Sequence, residues 1–212
     1  PSERPLAPVP AASISVTRKN EPSGRRPPKA MISDNPAEAA GTRSGQASAS
    51  ARSIYNSEVV AKLRRDGVGG ASESFDHEPG NVPLPAQFLK LVGRKASADS
   101  GGLYRYRPLS KWNLGEGQGL QDDFQRWAWT QLEAQDRPAP GGPVAWKSVW
   151  RVEDMNGEST LRMMRADPAS AQACVQCHNA LEMRPAVQAL RLQQGAPAGR
   201  QWQQHQLLGA LE

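Results

Sequence analysis

The sequence predicts an α+β fold that follows an extended N-terminal arm, and three observations support this prediction. Three segments carry apolar residues at helical spacing: residues 51–66, 82–95 and 123–134. Residues 144–165 alternate as two strands around Asn156-Gly157, a pair typical of a tight hairpin turn. The first 50 residues contain eight prolines, eight serines and no aromatic residue. We therefore place the folded domain at residues 51–212 and the arm at residues 1–50.

The overall composition limits the class of protein. With 212 residues, 38% of them hydrophobic and 22% charged, the chain is long enough for one ordinary domain plus extra segments. The net charge of +5 comes without a long basic cluster or a base-stacking motif, so nucleic-acid binding is not expected. No run of roughly 18 apolar residues occurs, so the sequence predicts no membrane span.

The arm, residues 1–50, is too poor in apolar side chains to fold alone. Its only strand-like alternation is Ala12 to Thr17. One interpretation is a disordered tail or linker. The other is a segment that binds a partner subunit, for example by adding Ile14 and Val16 to the edge of the partner's sheet. We carry the partner-bound arm forward as the expectation.

Local signals define the elements of the domain. The elements predicted for its first half are a helix at 51–66, a loop at 67–81, a helix at 82–95 and a strand at 103–107. Gly67 ends the first helix, and Pro85 suits the first turn of the second. The loop between them contains His77.

In the second half, the predicted elements are a helix at 123–134, hairpin strands at 144–153 and 158–165, a short helix from Asp167 or Ser170, a partly helical segment at 180–201 and a strand at 202–212. Asp122 or Asp123 caps the helix at 123–134. Phe124, Trp127 and Leu132 are expected to form its buried face.

The most specific signal is Cys174-Val175-Gln176-Cys177-His178, which follows the Cys-x-x-Cys-His pattern of covalent c-type haem attachment. In that chemistry Cys174 and Cys177 form thioether bonds to the haem vinyl groups, and His178 is the proximal iron ligand. Two intervening residues set the thiols one helical turn apart. The motif predicts one covalently attached haem c.

Other interpretations of the motif find less support. A thioredoxin-like dithiol normally follows a strand in a βαβ pattern, which this sequence does not show. A zinc site needs two further ligands at similar spacing, whereas the chain has only two cysteines and three histidines. A disulfide between Cys174 and Cys177 remains an open alternative. Because bacteria attach haem c outside the cytoplasmic membrane, and the chain begins at Pro1 without Met, we expect an exported, periplasmic or extracellular protein.

Several segments occur in an order that resembles a known family: Val82 to Phe88, Trp112, Asp123 to Trp127, Cys174 to Asn179 and Trp202 to Glu212. Over roughly residues 51–212 the chain resembles a PAS-like single-haem c family, whose members are sensory domains of bacterial kinases and chemoreceptors or free-standing cytochromes. The resemblance implies a central antiparallel sheet flanked by helices, with haem on one face. Some members use a third cysteine as the distal iron ligand, and this chain has none.

The sixth iron ligand must therefore be sought among other side chains. His77 is the leading candidate, because its loop precedes the Pro-Leu-Pro-Ala helix and loops often carry function. The alternatives are His205, Met31, Met155, Met163, Met164 and Met183. Four arginines have the planar geometry that suits the haem propionates: Arg105, Arg107, Arg162 and Arg165.

These observations give three hypotheses for function. The first is an exported monohaem cytochrome that passes electrons to a redox partner protein, held in a larger assembly by residues 1–50. The second is a redox or gas sensor domain, and the third is a structural subunit of a filament or complex stabilised by haem. No Ser-His-Asp set and no paired-carboxylate signature stands out, so we do not expect an enzyme.

Overall fold

The chain is described by a computed structural model over residues 36–114, 119–136 and 143–212, and side chains are described from Arg43 onward with the exception of position 44. The predicted strand-like segment with Ile14 and Val16, and the candidate ligand Met31, lie outside the described residues. The described residues belong to one unit of the chain.

A four-stranded sheet forms the centre of this unit. Its strands are β3 (Pro108–Leu109), β4 (Val149–Met155), β5 (Glu158–Pro168) and β6 (Leu207–Leu211). They pair in the order β3-β6-β5-β4, and every pair is antiparallel. Together with the helices, this sheet confirms the predicted α+β class.

The hairpin between β4 and β5 follows from its turn residues. Asn156 and Gly157 both have positive φ, 60° and 85°, as a two-residue turn of the type favoured by Asn-Gly requires. The N–H of Gly157 donates to Oδ1 of Asp154 over 2.8 Å, which stabilises the turn further. The predicted hairpin is confirmed, and β5 continues to Pro168, three residues beyond the predicted end.

The first helix begins earlier than the sequence pattern indicates. Helix α1 spans Pro36–Ile54 and continues through a π-helical segment, Tyr55–Val60, into α2, Ala61–Arg65. Residues 36–50 are therefore helical, and the expectation of an extended arm is wrong for them. Alanine is frequent in this stretch and is the best helix former, while Pro36 suits a first turn. Few large apolar residues mark a face there, so periodicity fails to detect the helix.

The next elements agree only in part with the prediction. Helix α3 spans Pro85–Asp99 and starts at the predicted proline, where Oε1 of Gln87 accepts from the N–H of Leu84 over 2.9 Å. Two short strands precede it as a parallel pair, β1 (Ala71–Ser72) and β2 (Val82–Pro83).

The strand predicted at 103–107 is not observed; β3 begins at Pro108 instead. Position 107 meets position 212 through two backbone hydrogen bonds, of 2.8 and 3.1 Å. The position of β3 is therefore determined by its pairing with the last strand. The local alternation of Leu103 to Tyr106 does not produce a strand. The last strand, predicted at 202–212, is confirmed in part: β6 spans Leu207–Leu211, and residues 202–206 form irregular chain and a turn before it.

Helix α4, Asp123–Glu133, covers one face of the sheet. Its cap is Asp122, whose Oδ1 accepts from the N–H of Gln125 over 2.9 Å. Phe124 and Leu132 lie in the core with Met164, as predicted for the helix residues, but Trp127 is 37% exposed and Trp129 is the buried tryptophan. Positions 124, 128 and 132 recur every four residues and thus share the face that packs on the sheet.

Helix α1 packs on the opposite face, as side chains of β5 alternate between the two faces. Arg165 donates to Oε1 of Gln46 over 2.9 Å, and Asp167 pairs with Arg52, so odd-numbered positions of β5 meet α1. Helix α5, Gln172–Glu182, follows β5 and carries the cysteine motif, and α6, Pro185–Gln193, follows α5. None of the described helices is both long and apolar enough to cross a membrane.

Candidate functional site

The two cysteines lie on α5, separated by one helical turn. The helix starts where the chain leaves β5, with Ala171 in an extended conformation and the N–H of Cys174 donating to its carbonyl over 3.0 Å. Because residues three apart are neighbours on a helix surface, both side chains face the same way. Both thiols are free; Cys174 is half-buried and Cys177 is exposed. The pair is therefore open to attachment of a group from outside.

His178, the residue after the second thiol, is half-buried against an indole. Its imidazole meets the ring of Trp202 nearly edge to face, with centroids 6.2 Å apart and an interplanar angle of 76°. Burial lowers the pKa of His178 below its ordinary value, although the nearby carboxylates of Asp167 and Glu182 act in the opposite direction. The imidazole is accordingly neutral near pH 7, the state in which histidine binds a metal.

Trp202 is joined to α5 at three points. Its backbone N–H donates to Oδ1 of Asn179 over 2.7 Å, and its carbonyl accepts from Nδ2 of Asn179 over 3.2 Å. The indole Nε1–H donates to Oε1 of Glu182 over 3.2 Å. These partners lie one and four positions after His178, so the tryptophan is attached to the turn that carries the histidine.

Glu182 is in turn held by a buried arginine. Nη2 of Arg191 lies 2.7 Å from Oε1 of Glu182, and Nε donates to both carboxylate oxygens. Arg191 also donates to the carbonyl of Asn113 over 3.2 Å. The pair therefore fixes α5 to α6 and to the chain that precedes α4.

A second arginine packs between two tryptophans. The guanidinium carbon of Arg200 lies 4.2 Å from the ring centroids of both Trp112 and Trp202, and those rings are 6.4 Å apart. Burial lowers the pKa of Arg200, and its Nε is buried with no hydrogen-bond partner among the described residues. This places cationic and aromatic groups directly beside the tryptophan that contacts His178.

A third arginine connects α1 to the other side of the motif. Arg52 pairs with Asp167 at the end of β5. Burial alone would lower the pKa of Arg52, but Asp167 and, more weakly, Cys174 act against it and raise the pKa. Arg52 thus lies near Cys174 as well as Asp167.

The structure places His77 on an exposed turn. Its side chain is 83% exposed, and Nε2 lies 3.7 Å from the Asp76 carboxylate. An ion pair connects the start of this turn to the chain just after α5: Nη1 of Arg184 lies 3.3 Å from Oε1 of Glu73. Among the contacts of the described residues, none joins His77 to His178. Its assignment as sixth ligand stays a prediction.

The other candidate ligands occupy different environments. Met164 is fully buried in the core under α4, and Met163 is half-buried and points to the opposite face of β5. Met155 and Met183 are exposed. His205 lies in the turn before β6 with φ of 73°, and its N–H donates to the carbonyl of Ala169 over 2.9 Å.

The arginines proposed from sequence as propionate partners lie mostly in other contacts. Arg162 is bound to the carboxylates of Asp122, Glu153 and Glu212, and Arg107 donates to Gln121 over 3.0 Å. Sequence reasoning missed the arginines that do lie near the motif, which are Arg52, Arg191 and Arg200. No local sequence pattern indicates them, because each belongs to a different segment of the chain from the motif on α5.

The His, Cys, Asp and Glu side chains of the described residues do not form a separate metal centre. Within the described ranges, no three side chains of the His, Cys, Asp and Glu types come together so as to hold a metal ion. Two thiols and an adjacent imidazole on one helix are the groups that haem c requires: the thiols form thioether bonds, and the imidazole binds iron. The residues present therefore fit a covalently attached haem.

Comparison with protein families shows that the chain belongs to the Tll0287-like family. The sequence model of that family, described as Tll0287, matches residues 19–212. The match includes every element described above. Comparison with curated proteins and with solved structures gave no match.

Proposed function

We propose that the protein is an exported monohaem c-type cytochrome, built on a PAS-like domain, that transfers electrons. One observation carries the proposal: Cys174 and Cys177 are free, accessible thiols one turn apart on α5, and His178 follows them. This is the residue set that attaches haem c. The antiparallel sheet with helices on both faces supports the PAS-like part.

Each residue has a defined task in this proposal. Cys174 and Cys177 supply the sulfur atoms for two thioether bonds, and His178 supplies the nitrogen that binds iron. Arg52, on α1, pairs with Asp167 through Nη1, and the other N–H groups of its planar guanidinium would suit a propionate carboxylate. When bound, haem supplies reversible one-electron exchange.

Electron transfer is the favoured use because the attachment helix lies at the surface. Cys177 is exposed, so a group bonded to it lies within reach of a partner protein. The proposed partners are a redox protein and the subunits of a larger assembly held through residues 1–35, the part of residues 1–50 that precedes α1. Removing residues 1–35 should release the protein from that assembly without changing its haem spectrum. Unchanged assembly would rule out the arm as the attachment.

Haem attachment is tested by expression with export in a bacterium that has a cytochrome c maturation system. The intact mass should increase by one haem, and the pyridine haemochrome spectrum should show haem c. Cys174→Ser together with Cys177→Ser should abolish covalent attachment, whereas His205→Ala should retain it. Wild-type protein that is exported, folded and free of haem would refute the proposal.

Two further measurements separate electron transfer from gas sensing. A cytochrome of the proposed kind should be reduced and reoxidised reversibly and should bind carbon monoxide weakly in its untreated state. Tight binding of carbon monoxide or nitric oxide would favour the sensor, because it requires an open or readily displaced sixth position. The spectra of both redox states provide the comparison.

A further inference from the structure

The imidazole of His178 is in contact with one indole, and that indole has an unusually well-defined position. The nearly perpendicular rings, 76° apart with centroids at 6.2 Å, form an edge-to-face contact. The ring of Trp202 is only 2% exposed, so it has no freedom to swing into solvent. Rotation of the imidazole about its side-chain bond would bring it against this ring.

The indole is anchored by hydrogen bonds to the same helix that carries the histidine. Its backbone is bonded twice to Asn179, and its Nε1 is bonded to Glu182. A simple packing residue needs none of these bonds. Three of them, all to α5, keep the indole at a constant distance from the turn of His178 even if the loop before β6 moves.

The carboxylate that receives the indole bond is itself immobile. Glu182 is 1% exposed and is held by both Nε and Nη2 of Arg191. Arg200 also packs over the ring of Trp202, as it does over the ring of Trp112. The indole thus has a fixed partner at its nitrogen and a fixed neighbour on its face.

We infer that Trp202 is a positioning residue that sets the plane of the His178 imidazole, with Asn179 and Glu182 as its anchors. The inference rests on the proposed function, in which His178 binds iron. Groups that surround a metal ligand orient its ring and thereby tune the metal. In most such sites a hydrogen bond to the ligand's second nitrogen does this; here the proposed group is the nearly perpendicular indole.

The test uses the haem-loaded, full-length protein and two variants. Trp202→Phe keeps an aromatic ring but removes the bond to Glu182, and Asn179→Ala removes both backbone anchors while leaving the indole. Each should retain covalent haem and yet shift the haem methyl resonances of the ferric protein, since their spread depends on the plane of the axial imidazole. Trp112→Phe is the matched control: that ring also touches Arg200 and Trp202, and among the ring contacts of the described residues none joins it to His178.

Methyl resonances that stay at their wild-type positions in both variants would overturn the inference, as would an equal shift in the Trp112 control. Nuclear Overhauser contacts between the indole and imidazole protons should be present in the reduced wild-type protein. Their absence would overturn the inference, and this measurement does not depend on whether a variant folds. The proposed function is tested separately. Wild-type protein without covalent haem would refute the proposed function itself, before any variant is compared.

Discussion

Glu182 and Arg191 form an ion pair that is removed almost completely from water. Each side chain is 2% exposed, and the closest N–O distance is 2.7 Å. Desolvation of two charges costs free energy that only good geometry and further hydrogen bonds offset. Both conditions are met here, since Arg191 also donates to Gln194 and to the carbonyl of Asn113, and Glu182 also accepts from Trp202.

Arg191→Ala should therefore destabilise the protein strongly. The substitution leaves the Glu182 carboxylate buried without its cation, which typically costs about 3–5 kcal/mol of unfolding free energy. Urea denaturation followed by circular dichroism gives the measurement. Arg184→Ala is the control, because its pair with Glu73 is exposed and should contribute no more than about 1 kcal/mol. Equal losses in the two variants would contradict the central role of the buried pair.

If His77 is the sixth ligand, then His77→Ala should convert low-spin iron in the loaded protein to high-spin iron. The reason is that the variant removes the strong-field nitrogen of the leading candidate for that position. Electron paramagnetic resonance and the visible absorption bands report the change. His205→Ala should leave both spectra unaltered, since that residue serves the turn before β6. A low-spin signal that survives in His77→Ala would eliminate His77 and direct attention to the methionines.

Asp122→Asn should lower the free energy of unfolding at neutral pH. It should also make that free energy depend less on pH in the acid range. Burial tends to raise the pKa of Asp122, but hydrogen bonds from Arg162 and from the N–H of Gln125 outweigh it, so the pKa is lowered. A carboxyl with a lowered pKa contributes stability above its unfolded-state pKa of about 3.9 and loses it as pH falls through the folded-state value. Because the side chain is 43% exposed, solvent screening limits the expected loss to about 1 kcal/mol or less.

Asparagine is as good a helix cap as aspartate, so the variant isolates the charge. Thermal or urea unfolding of both proteins from pH 7 to pH 2 provides the comparison, and the two curves should converge in acid. Asp123→Asn is the matched control, as that side chain is 94% exposed and pairs only along the helix surface with Arg126. A wild-type to variant difference that persists unchanged at pH 2 would mean that the ion pair is not its source.

Sequence patterns predict those parts of the molecule that depend on neighbours in the chain. Asn156-Gly157 specifies a hairpin turn by its backbone preferences, and Pro85 marks a helix start because it lacks an N–H. The cysteine motif is equally local. By contrast, β3 depends on the position of the final strand, and the alanine-rich start of α1 has no apolar stripe to reveal it.

The surroundings of the motif could not be predicted for the same reason. Arg52 reaches Asp167 across 115 positions, and Trp202 reaches Asn179 across 23. Nothing in the spacing of these residues indicates a contact. Arginines on strands were the natural candidates for the site, yet Arg162, in the middle of β5, proves to be occupied by three carboxylates. Only the folded chain distinguishes the two groups of arginines.

Gly93→Ala should destabilise the protein although alanine is the better helix former. Gly93 is buried in α3, and a Cβ there would lie 2.4 Å from the backbone carbonyl oxygen of Tyr106, which cannot move without displacing the chain before β3. Overpacking of this kind costs about 1–3 kcal/mol and exceeds the gain in helix propensity of about 1 kcal/mol. Gly45→Ala in α1 is the matched control, because its Cβ would meet the flexible side chain of Arg165, at 2.7 Å from Cδ. Urea unfolding should show Gly45→Ala near or above wild type and Gly93→Ala below it; the reverse order would mean that α3 and the Tyr106 segment are not packed as closely as the structure shows.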